Sequence, residues 1–532
     1  MASRRPSILV PRAFSRRTAL KGVGAASLAA GIPFSRLTMS SAQDEEISTG
    51  GVLNVAIVGE PPAVLDSMYS TATVTNNLSA QLFESLFAFD SSFNPQPMLV
   101  EDYSLSDDSL TYTFTLRSGI TFHNGDPLTA NDALASLNRW GAVNGRGKQM
   151  FGRMSSISAP DDLTIEMVFD VPSGVLLSYL ARAEAFIMPA SIAEAAGTDP
   201  LTEFIGTGPF KFEEHQVDQY LRMVRFDDYL PRDEEPDGLA GRRVAYVDQI
   251  DFIPVPDESV RANGVISGEY HFGDPLPPDF LDSLEADPAV EAIVVKPYYW
   301  YAPVFNKQKG LFTDQNARKA VQLAFSQSDA LKAGFGRDEL IRADPSISGE
   351  ETAWYSTAGA DDFDQPDPER ARALLDEAGY DGETIRWITT HEYAYNFRIA
   401  DYVRQQLEEI GMTVELILSD WATLVQNRAD PDAQEIFLTG FSQYNHPATQ
   451  PYNDAGWPGF WDSEAKDSAM NALIEASDDD ALAAAVDQYT ETFWTEMPAV
   501  KVGDNFVLRA INSDVVGYVN MPDWYFWNVG FR

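Results

Sequence analysis

Residues 82–140 constrain the fold more than any other part of the chain. Apolar side chains alternate with threonines from 112 to 116, which is typical of a strand with one buried face. The alternation resumes at Ile120 and Phe122 after a Ser-Gly pair, so we expect a hairpin.

A capping box follows this strand pattern. Thr129 and Asp132 have the spacing at which a hydroxyl and a carboxylate satisfy the first free amides of a helix. Apolar residues at 130, 133, 134, 137 and 140 then share one helical face. The segment therefore predicts ordered α/β structure.

Four motifs follow one another along the chain. They are LFESLFAFD at 82–90, GITFHNGDPLTANDA at 119–133, GTGPFKF at 206–212 and DPERARALLDEAGY at 367–380. In this order they resemble the extracellular solute-binding protein family 5, the oligopeptide-, dipeptide- and nickel-binding receptors of ABC importers. The resemblance covers essentially the whole mature chain. It implies an α/β fold of the periplasmic-binding-protein class, type II in its large three-domain form, with two hinged lobes and mixed sheets.

The resemblance also divides the chain into domains, and a βαβ pattern over 385–418 indicates parallel strands inside domain III. Two chain crossings, near Asn306 and Val500, would form the hinge between the lobes. The expected divisions are domain I at 43–90, 206–305 and 500–532, domain II at 91–205, and domain III at 306–499.

The N-terminus reads as an export signal. Arg16 and Arg17 lie in a twin-arginine pattern, with Ala19 where phenylalanine is usual, and the apolar run at 22–32 is too short to span a bilayer. Small residues end at Ala42, so we expect a twin-arginine signal peptide over 1–42.

Charge and cysteine content narrow the partners and the location. The net charge of −42 repels nucleic acid and anionic membranes. The acidic excess fits either hydration in high salt or a bias in base composition. The chain has no cysteine, which excludes disulfides, cysteine metal sites and a lipid-modified cysteine anchor. We expect a soluble, unanchored periplasmic protein; release outside the cell is the alternative.

The loop after residue 437 is where the family binds ligand. Dipeptide-binding relatives carry an acidic D-P-D element there that holds the ligand's α-ammonium, whereas this chain reads NHPA from Asn445, so the acid is missing. The resemblance and the aromatic content suggest these ligand contacts: Tyr69, Tyr299, Trp300, Asn306, Trp354, Tyr355, Phe441, Tyr444, His446, Trp457 and Trp461.

Motifs for catalysis, metal binding and cofactors are missing. No two of the five histidines have metal-clamp spacing, and only His446 is placed to meet a ligand. No nucleophile elbow, P-loop or dinucleotide fingerprint occurs. With 80 acidic residues, carboxylate pairs are expected by chance. We therefore expect no catalytic residue, no metal and no cofactor.

These observations predict a monomeric substrate-binding receptor of an ABC importer. It would bind an oligopeptide or dipeptide between its lobes and deliver it to the membrane permease, whose ATPases lie inside the cell. An oligosaccharide receptor, which would use the Trp and Tyr faces, and a metal-chelate receptor using His446 remain open. A secreted hydrolase is the alternative from a different class.

Overall fold

The computed structural model describes residues 47–70, 72–476 and 479–532. The twin-arginine signal expected at 1–42 lies outside these residues. No helix within the described ranges has the length and apolar character needed to cross a membrane.

The described chain alternates strands and helices throughout. The strands are β1 Val52–Ile57, β2 Phe87–Phe89, β3 Pro95–Pro97, β4 Val100–Leu105, β5 Thr111–Leu116, β6 Met154–Asp161, β7 Thr164–Phe169, β8 Phe210–Gln216, β9 Tyr220–Arg225, β10 Gln249–Pro254, β11 Phe272–Leu276, β12 Val290–Phe305, β13 Ile341–Arg342, β14 Thr384–Thr389, β15 Thr413–Leu418, β16 Ile436–Ser442, β17 Gly503–Asn512, β18 Val515–Val516 and β19 Gly530–Phe531. The α-helices are α1 Thr73–Leu82, α2 Ala130–Val143, α3 Gly145–Phe151, α4 Leu176–Leu180, α5 Ala190–Ala196, α6 Glu258–Ser267, α7 Leu281–Ala286, α8 Gln315–Ala324, α9 Gln327–Phe335, α10 Pro368–Glu377, α11 Ala394–Glu409, α12 Trp421–Asn427, α13 Glu464–Glu475 and α14 Asp479–Glu496. Short 3-10 helices occur at Ala183–Ala185, Pro278–Phe280, Leu311–Thr313, Asp338–Leu340, Pro447–Thr449 and Pro451–Asn453.

One mixed sheet runs through both predicted lobes. Its strand order is β15-β14-β16-β12-β17-β11-β1-β10-β9-β8, with β13 paired to β17. The pairs β1–β10 and β14–β15 are parallel, whereas β12 is antiparallel to both of its neighbours, β16 and β17. Strand β12 therefore joins the part of the sheet built from residues 384–442 to the part built from residues 52–57, 210–276 and 503–512.

A second, antiparallel sheet has the order β4-β5-β7-β6 and falls with α2 to α5 inside the segment expected to be domain II. The hairpin expected after β5 is wrong, because β5 pairs with β4 and β7. Ile120 and Phe122 are buried, but they belong to a tight turn in which Leu128 donates to the Ile120 carbonyl and Phe122 to the Asp126 carbonyl. Their alternation reflects burial without a strand partner.

Other local predictions are confirmed. The capping box of Thr129 and Asp132 opens α2. The Asp367 carboxylate accepts from the Arg370 amide at the start of α10, and Gly379, with φ +77°, follows the end of that helix. The expected βαβ unit is present as β14, α11 and β15.

The chain passes twice between the predicted lobes, and the two crossings pair with each other. Val304 bridges Ala499, and the Val500 amide donates to the Pro303 carbonyl at 3.0 Å. The buried Lys307 ammonium donates to the Phe305 and Pro498 carbonyls, one on each crossing, both at 3.0 Å.

A second basic side chain, that of Arg318, also stabilises this hinge. The Arg318 guanidinium on α8 donates to the carbonyls of Phe312, Thr313, Glu496 and Met497 at 2.7 to 3.1 Å. Burial lowers the pKa of Arg318 to about 10, because its hydrogen bonds with neutral carbonyls replace only part of its hydration. These contacts give Arg318 a structural role at the hinge.

Candidate ligand-binding cleft

A cavity of about 570 Å³ lies where the predicted lobes meet. One wall comes from the segments around α1, α3 and the 3-10 turn at Ala183–Ala185, and the opposite wall from β16 and the loop that follows it. The lining residues are Ser67, Thr73, Asn76, Asn144, Gly145, Arg146, Gln149, Arg182, Glu184, Tyr299, Gly440, Phe441, Ser442, Tyr444, Asn445, Ala448, Thr449, Gln450, Pro451, Asn453, Asp454, Trp457, Met470 and Asp523.

Two arginines share one carboxylate in the first wall. The Glu184 Oε1 atom accepts from Arg146 Nη1 at 2.6 Å and from Arg182 Nε at 2.8 Å. Burial raises the pKa of Glu184, but the two guanidinium charges outweigh it and hold the pKa at about 2. The group is ionised at neutral pH, so this cluster keeps one excess positive charge.

A second carboxylate enters the cavity from the C-terminal segment. The Asp523 Oδ1 atom accepts from the Tyr444 hydroxyl at 3.3 Å. Burial raises the pKa of Asp523, and Arg182 partly opposes that effect. Burial also raises the pKa of Tyr444, which keeps its hydroxyl protonated and able to donate.

The loop asparagine at the position where the sequence lacks an expected acid is already hydrogen-bonded. Its Oδ1 atom, on Asn445, accepts from Arg182 Nη1 at 2.5 Å across the cleft.

A smaller cavity of about 70 Å³ adjoins the first, and both are lined by Asn76, Arg182, Glu184, Tyr444 and Asp523.

Several buried polar atoms on the cavity residues lack a hydrogen-bond partner in the described part of the chain. Buried polar groups are normally paired, so such a group of atoms at one cavity is typical of a site that a polar ligand completes. The atoms are Ser67 Oγ, Asn76 Oδ1, Arg146 Nε, Glu184 Oε2, Ser442 Oγ and Gln450 Oε1.

Four of the ligand contacts expected from the sequence line the cavity: Tyr299, Phe441, Tyr444 and Trp457. Tyr299 is the last residue of β12 to face the cleft, and its hydroxyl lies 3.4 Å from the Thr73 hydroxyl on α1. The aromatic run that contains it divides between two faces of the strand, because Trp300 is fully buried.

The other seven expected contacts lie elsewhere, and four of these are core residues. Trp300 packs on Phe441 and Phe493, Trp354 packs on His446, and the Trp461 indole donates to Glu496. Burial lowers the pKa of His446 to about 3, and its Nδ1 atom accepts from the Ala448 amide, as a cap of the short 3-10 helix at Pro447–Thr449.

The remaining three expected contacts either hold loops in place through hydrogen bonds or lie next to a loop. The Asn306 amide donates to the Pro431 and Gln434 carbonyls. The Tyr355 hydroxyl donates to Asp344, and Tyr69 leaves 55% of its surface exposed. A structural role at the end of β12 accounts for Asn306 without a ligand.

The charged residues of the cavity did not stand out in the sequence. Arg146, Arg182 and Glu184 lie in the segment expected to be domain II, in which we predicted no ligand contact, and Asp523 is one of 80 acidic residues. The sequence offered one local signal, Arg182 two residues before Glu184, because a buried acid needs a partner.

No group of three or more His, Asp or Glu side chains is arranged to hold a metal ion within residues 47–70, 72–476 and 479–532. His446, the residue on which the metal-chelate alternative rests, is turned into the core beside Trp354.

The lobes also touch at the outer rim of the cleft. The Gly174 amide donates to the Ile474 carbonyl at 2.6 Å, and a Cβ atom on Gly174 would lie 2.2 Å from the Ala476 carbonyl oxygen. Arg153 Nη2 donates to Asn471 Oδ1 at 2.7 Å in an exposed position. With the Arg182 contact, these interactions hold the cleft closed.

Comparison with known proteins identifies similar chains over almost the full length. The family model for bacterial extracellular solute-binding proteins, family 5 (middle part), matches residues 94–460. A probable peptide ABC transporter periplasmic-binding protein of Sinorhizobium fredii is 29% identical over 97% of this chain and 99% of that protein.

Two solved structures are similar in fold. The oligopeptide-binding protein AppA of Bacillus subtilis, in complex with a nonapeptide, has a TM-score of 0.78 at 19% identity, over 92% of this chain and 100% of that one. The protein AgaA of A. tumefaciens R10, in complex with agropinic acid, has a TM-score of 0.76 at 23% identity, over 91% and 99%. The predicted fold class is confirmed.

Proposed function

The chain belongs to family 5 of the bacterial extracellular solute-binding proteins, and on that premise we propose that it is the receptor of an ABC importer for short peptides. The ligand occupies the 570 Å³ cavity between the lobes. That volume falls within the range of about 300–1,000 Å³ typical of small-ligand pockets, which favours a short peptide over a long one.

The observation that carries this proposal is a cavity between the two lobes whose walls combine charged, polar and aromatic side chains. Its walls combine an excess guanidinium charge, a free carboxylate and unpaired amide and hydroxyl atoms. A peptide offers complementary groups at its ends and along its backbone. The aromatic residues Tyr299, Phe441, Tyr444 and Trp457 supply the apolar contacts.

Binding and release follow from the hinge. The paired crossings at Val304 and Ala499 keep the lobes together, while the few contacts at the rim break and re-form. A ligand that touches both walls stabilises the closed form, because it binds that form more tightly than the open one. The closed receptor then presents the peptide to the transmembrane subunits of the importer.

This proposal assigns the protein to the periplasm as a monomer without catalytic activity. The Sinorhizobium fredii relative is named as a periplasmic-binding protein of a peptide transporter. The ATPases that drive the importer act on the other side of the membrane, so no nucleotide binds to this chain.

Native mass spectrometry of the exported protein tests the proposal directly. We expect a retained peptide of a few residues, and small-angle scattering should show a smaller radius of gyration with the peptide than after its removal. An unchanged radius with every peptide offered would contradict the proposal. Release of cleaved products from a peptide mixture would instead favour the hydrolase.

A further inference from the structure

Within the described residues, the Asp523 carboxylate in the cleft forms no ion pair, and the charges of Arg182 and Arg509 act on it only from a longer distance. Among the residues that the structure describes, the Tyr444 hydroxyl is the only hydrogen-bond partner of Asp523, at 3.3 Å. Arg182 lies on the same cavity, but its guanidinium already donates to Glu184 and Asn445. The Asp523 carboxylate therefore faces the cavity with most of its hydrogen-bonding capacity unused.

The backbone around this carboxylate is held firmly. Arg509, which is almost fully buried on β17, donates to the carbonyls of Met521 and Pro522 at 2.6 and 2.5 Å. The same guanidinium binds Asp274, and Asp274 also accepts from the Trp524 indole at 3.0 Å. Residues on both sides of Asp523 are thus fixed, so the side chain is positioned before any ligand arrives.

A fixed carboxylate in a half-buried site is costly to keep ionised without a counter-ion. On the opposite wall, the Asn445 Oδ1 atom is already bound by Arg182 and carries no charge for a cation. Two carboxylates that form no ion pair in the described part of the chain then line the cavity, the exposed Asp454 and the half-buried Asp523. Asp523 is the less hydrated of the two, so it gains more from a cationic partner.

We propose that Asp523 is the counter-ion for a cationic nitrogen of the ligand, and thereby makes the receptor specific for solutes with a free ammonium group. This inference rests on the proposed function and adds to it the residue that selects the ligand. Tyr444 donates to one oxygen of the carboxylate and leaves the other to the ammonium.

Binding of three probes, measured by calorimetry, tests the proposal: trialanine, N-acetyl-trialanine and trialanine amide. The wild-type protein should bind trialanine about 30-fold or more tightly than the acetylated form, since loss of one partner from a buried charge pair costs at least that much. The Asp523→Asn variant should bring that ratio to within about threefold, while its preference between trialanine and the amide stays as in the wild type.

The Asp361→Asn variant is the matched control, because it removes the same charge from an exposed position away from the cavity and should keep the wild-type ratio. Unfolding curves of the ligand-free variants exclude a folding defect. Equal binding of the acetylated and free peptides by the wild-type protein, or an unchanged ratio in Asp523→Asn, overturns the inference and leaves the proposed function standing.

The ligand retained by the purified protein supplies a second readout. Reductive methylation of the extracted ligand should add mass at an amine. A retained ligand without an amine contradicts the role of Asp523 but still supports a receptor, whereas a protein that retains nothing and binds none of the three probes contradicts the proposed function itself.

Discussion

The lobes meet at a hinge and at a rim, and the two contacts are built differently. At the hinge, two paired backbone crossings are supported by the buried cations Lys307 and Arg318, which bind carbonyl groups. At the rim, one backbone hydrogen bond from Gly174 and one exposed bond from Arg153 join the lobes.

Because the two contacts are built differently, we expect the hinge to affect the unfolding equilibrium and the rim to affect the opening and closing of the lobes. Hinge groups are buried in every lobe arrangement, so their loss should reduce the free energy of unfolding. Rim groups return to water when the lobes separate, so their loss should change ligand affinity and leave unfolding almost unaffected. Four variants test this contrast, in order of expected effect.

Replacing Arg318 by methionine should have the largest effect. It leaves four carbonyls, two of them buried, without their guanidinium donor, and we expect the free energy of unfolding to fall by about 3–5 kcal/mol. Urea unfolding followed by tryptophan fluorescence measures this. The control is Arg372→Met, at an exposed arginine that binds a single carbonyl and should change stability by less than about 1 kcal/mol. Equal losses in the two variants would contradict the special status of the hinge.

Acid should lower the free energy of unfolding through His446, which follows Asn445 in the chain. The unfolded chain takes up a proton near pH 6.5, whereas burial lowers the folded pKa to about 3. Between these values the unfolded state binds more protons, so stability falls as the pH drops below 6.5, by about 2 kcal/mol at pH 5 from this residue.

Unfolding at pH 7.5 and pH 5 measures this linkage. His446→Asn should remove about 2 kcal/mol of the acid loss, since asparagine can still cap the turn at Ala448. His391→Asn, at an exposed histidine, is the matched control and should leave the loss as it is in the wild type. If the two variants showed the same pH dependence of unfolding, His446 would not be the source of the acid loss. Arg318 does not change this slope, because its guanidinium stays charged between pH 5 and pH 7.5.

Gly174→Ala should separate closure from stability. The added methyl group would meet the Ala476 carbonyl only when the lobes touch. We expect the affinity for trialanine to fall at least about tenfold, with ligand-free unfolding unchanged within about 1 kcal/mol. Gly152→Ala, at an exposed helix end with no contact across the cleft, should keep wild-type affinity. A large loss of stability in Gly174→Ala would show that the rim is part of the folded core.

Asn471→Ala should have the smallest effect. It removes the exposed bond from Arg153, and such contacts contribute about 0.5 kcal/mol or less. We expect a less than threefold change in affinity. A double-mutant cycle with Arg153→Ala measures the coupling, and a coupling above about 1 kcal/mol would contradict a weak rim.

Local patterns in the sequence predicted most of the fold. Caps such as Thr129 and Asp367 act within one turn of their helix, so the residues that form them are adjacent in the printed chain. The hairpin after β5 was wrong because burial at Ile120 and Phe122 produces the same alternation as strand pairing. The periodicity of apolar residues shows which side of a segment is buried, but it does not show which strand, if any, the segment pairs with.

The candidate site was less predictable for a different reason. Its charged residues come from three distant segments, and only the folded chain shows that Glu184 is held by Arg146 and Arg182 while Asp523 is left over. More aromatic residues were predicted to contact the ligand than line the cavity. Trp300, Trp354 and Trp461 are buried in the core, where large apolar side chains are often found.

Strand β17 has a consequence for biosynthesis. It lies between β11 and β12, yet it is made after every other long strand of the sheet. Until residues 503–512 leave the ribosome, the edges of β11 and β12 that β17 will occupy have no partner, and such edges invite pairing with other chains. A nascent chain of this protein therefore keeps these two strand edges unpaired until translation is nearly complete, and the two parts of the sheet become joined only at the end.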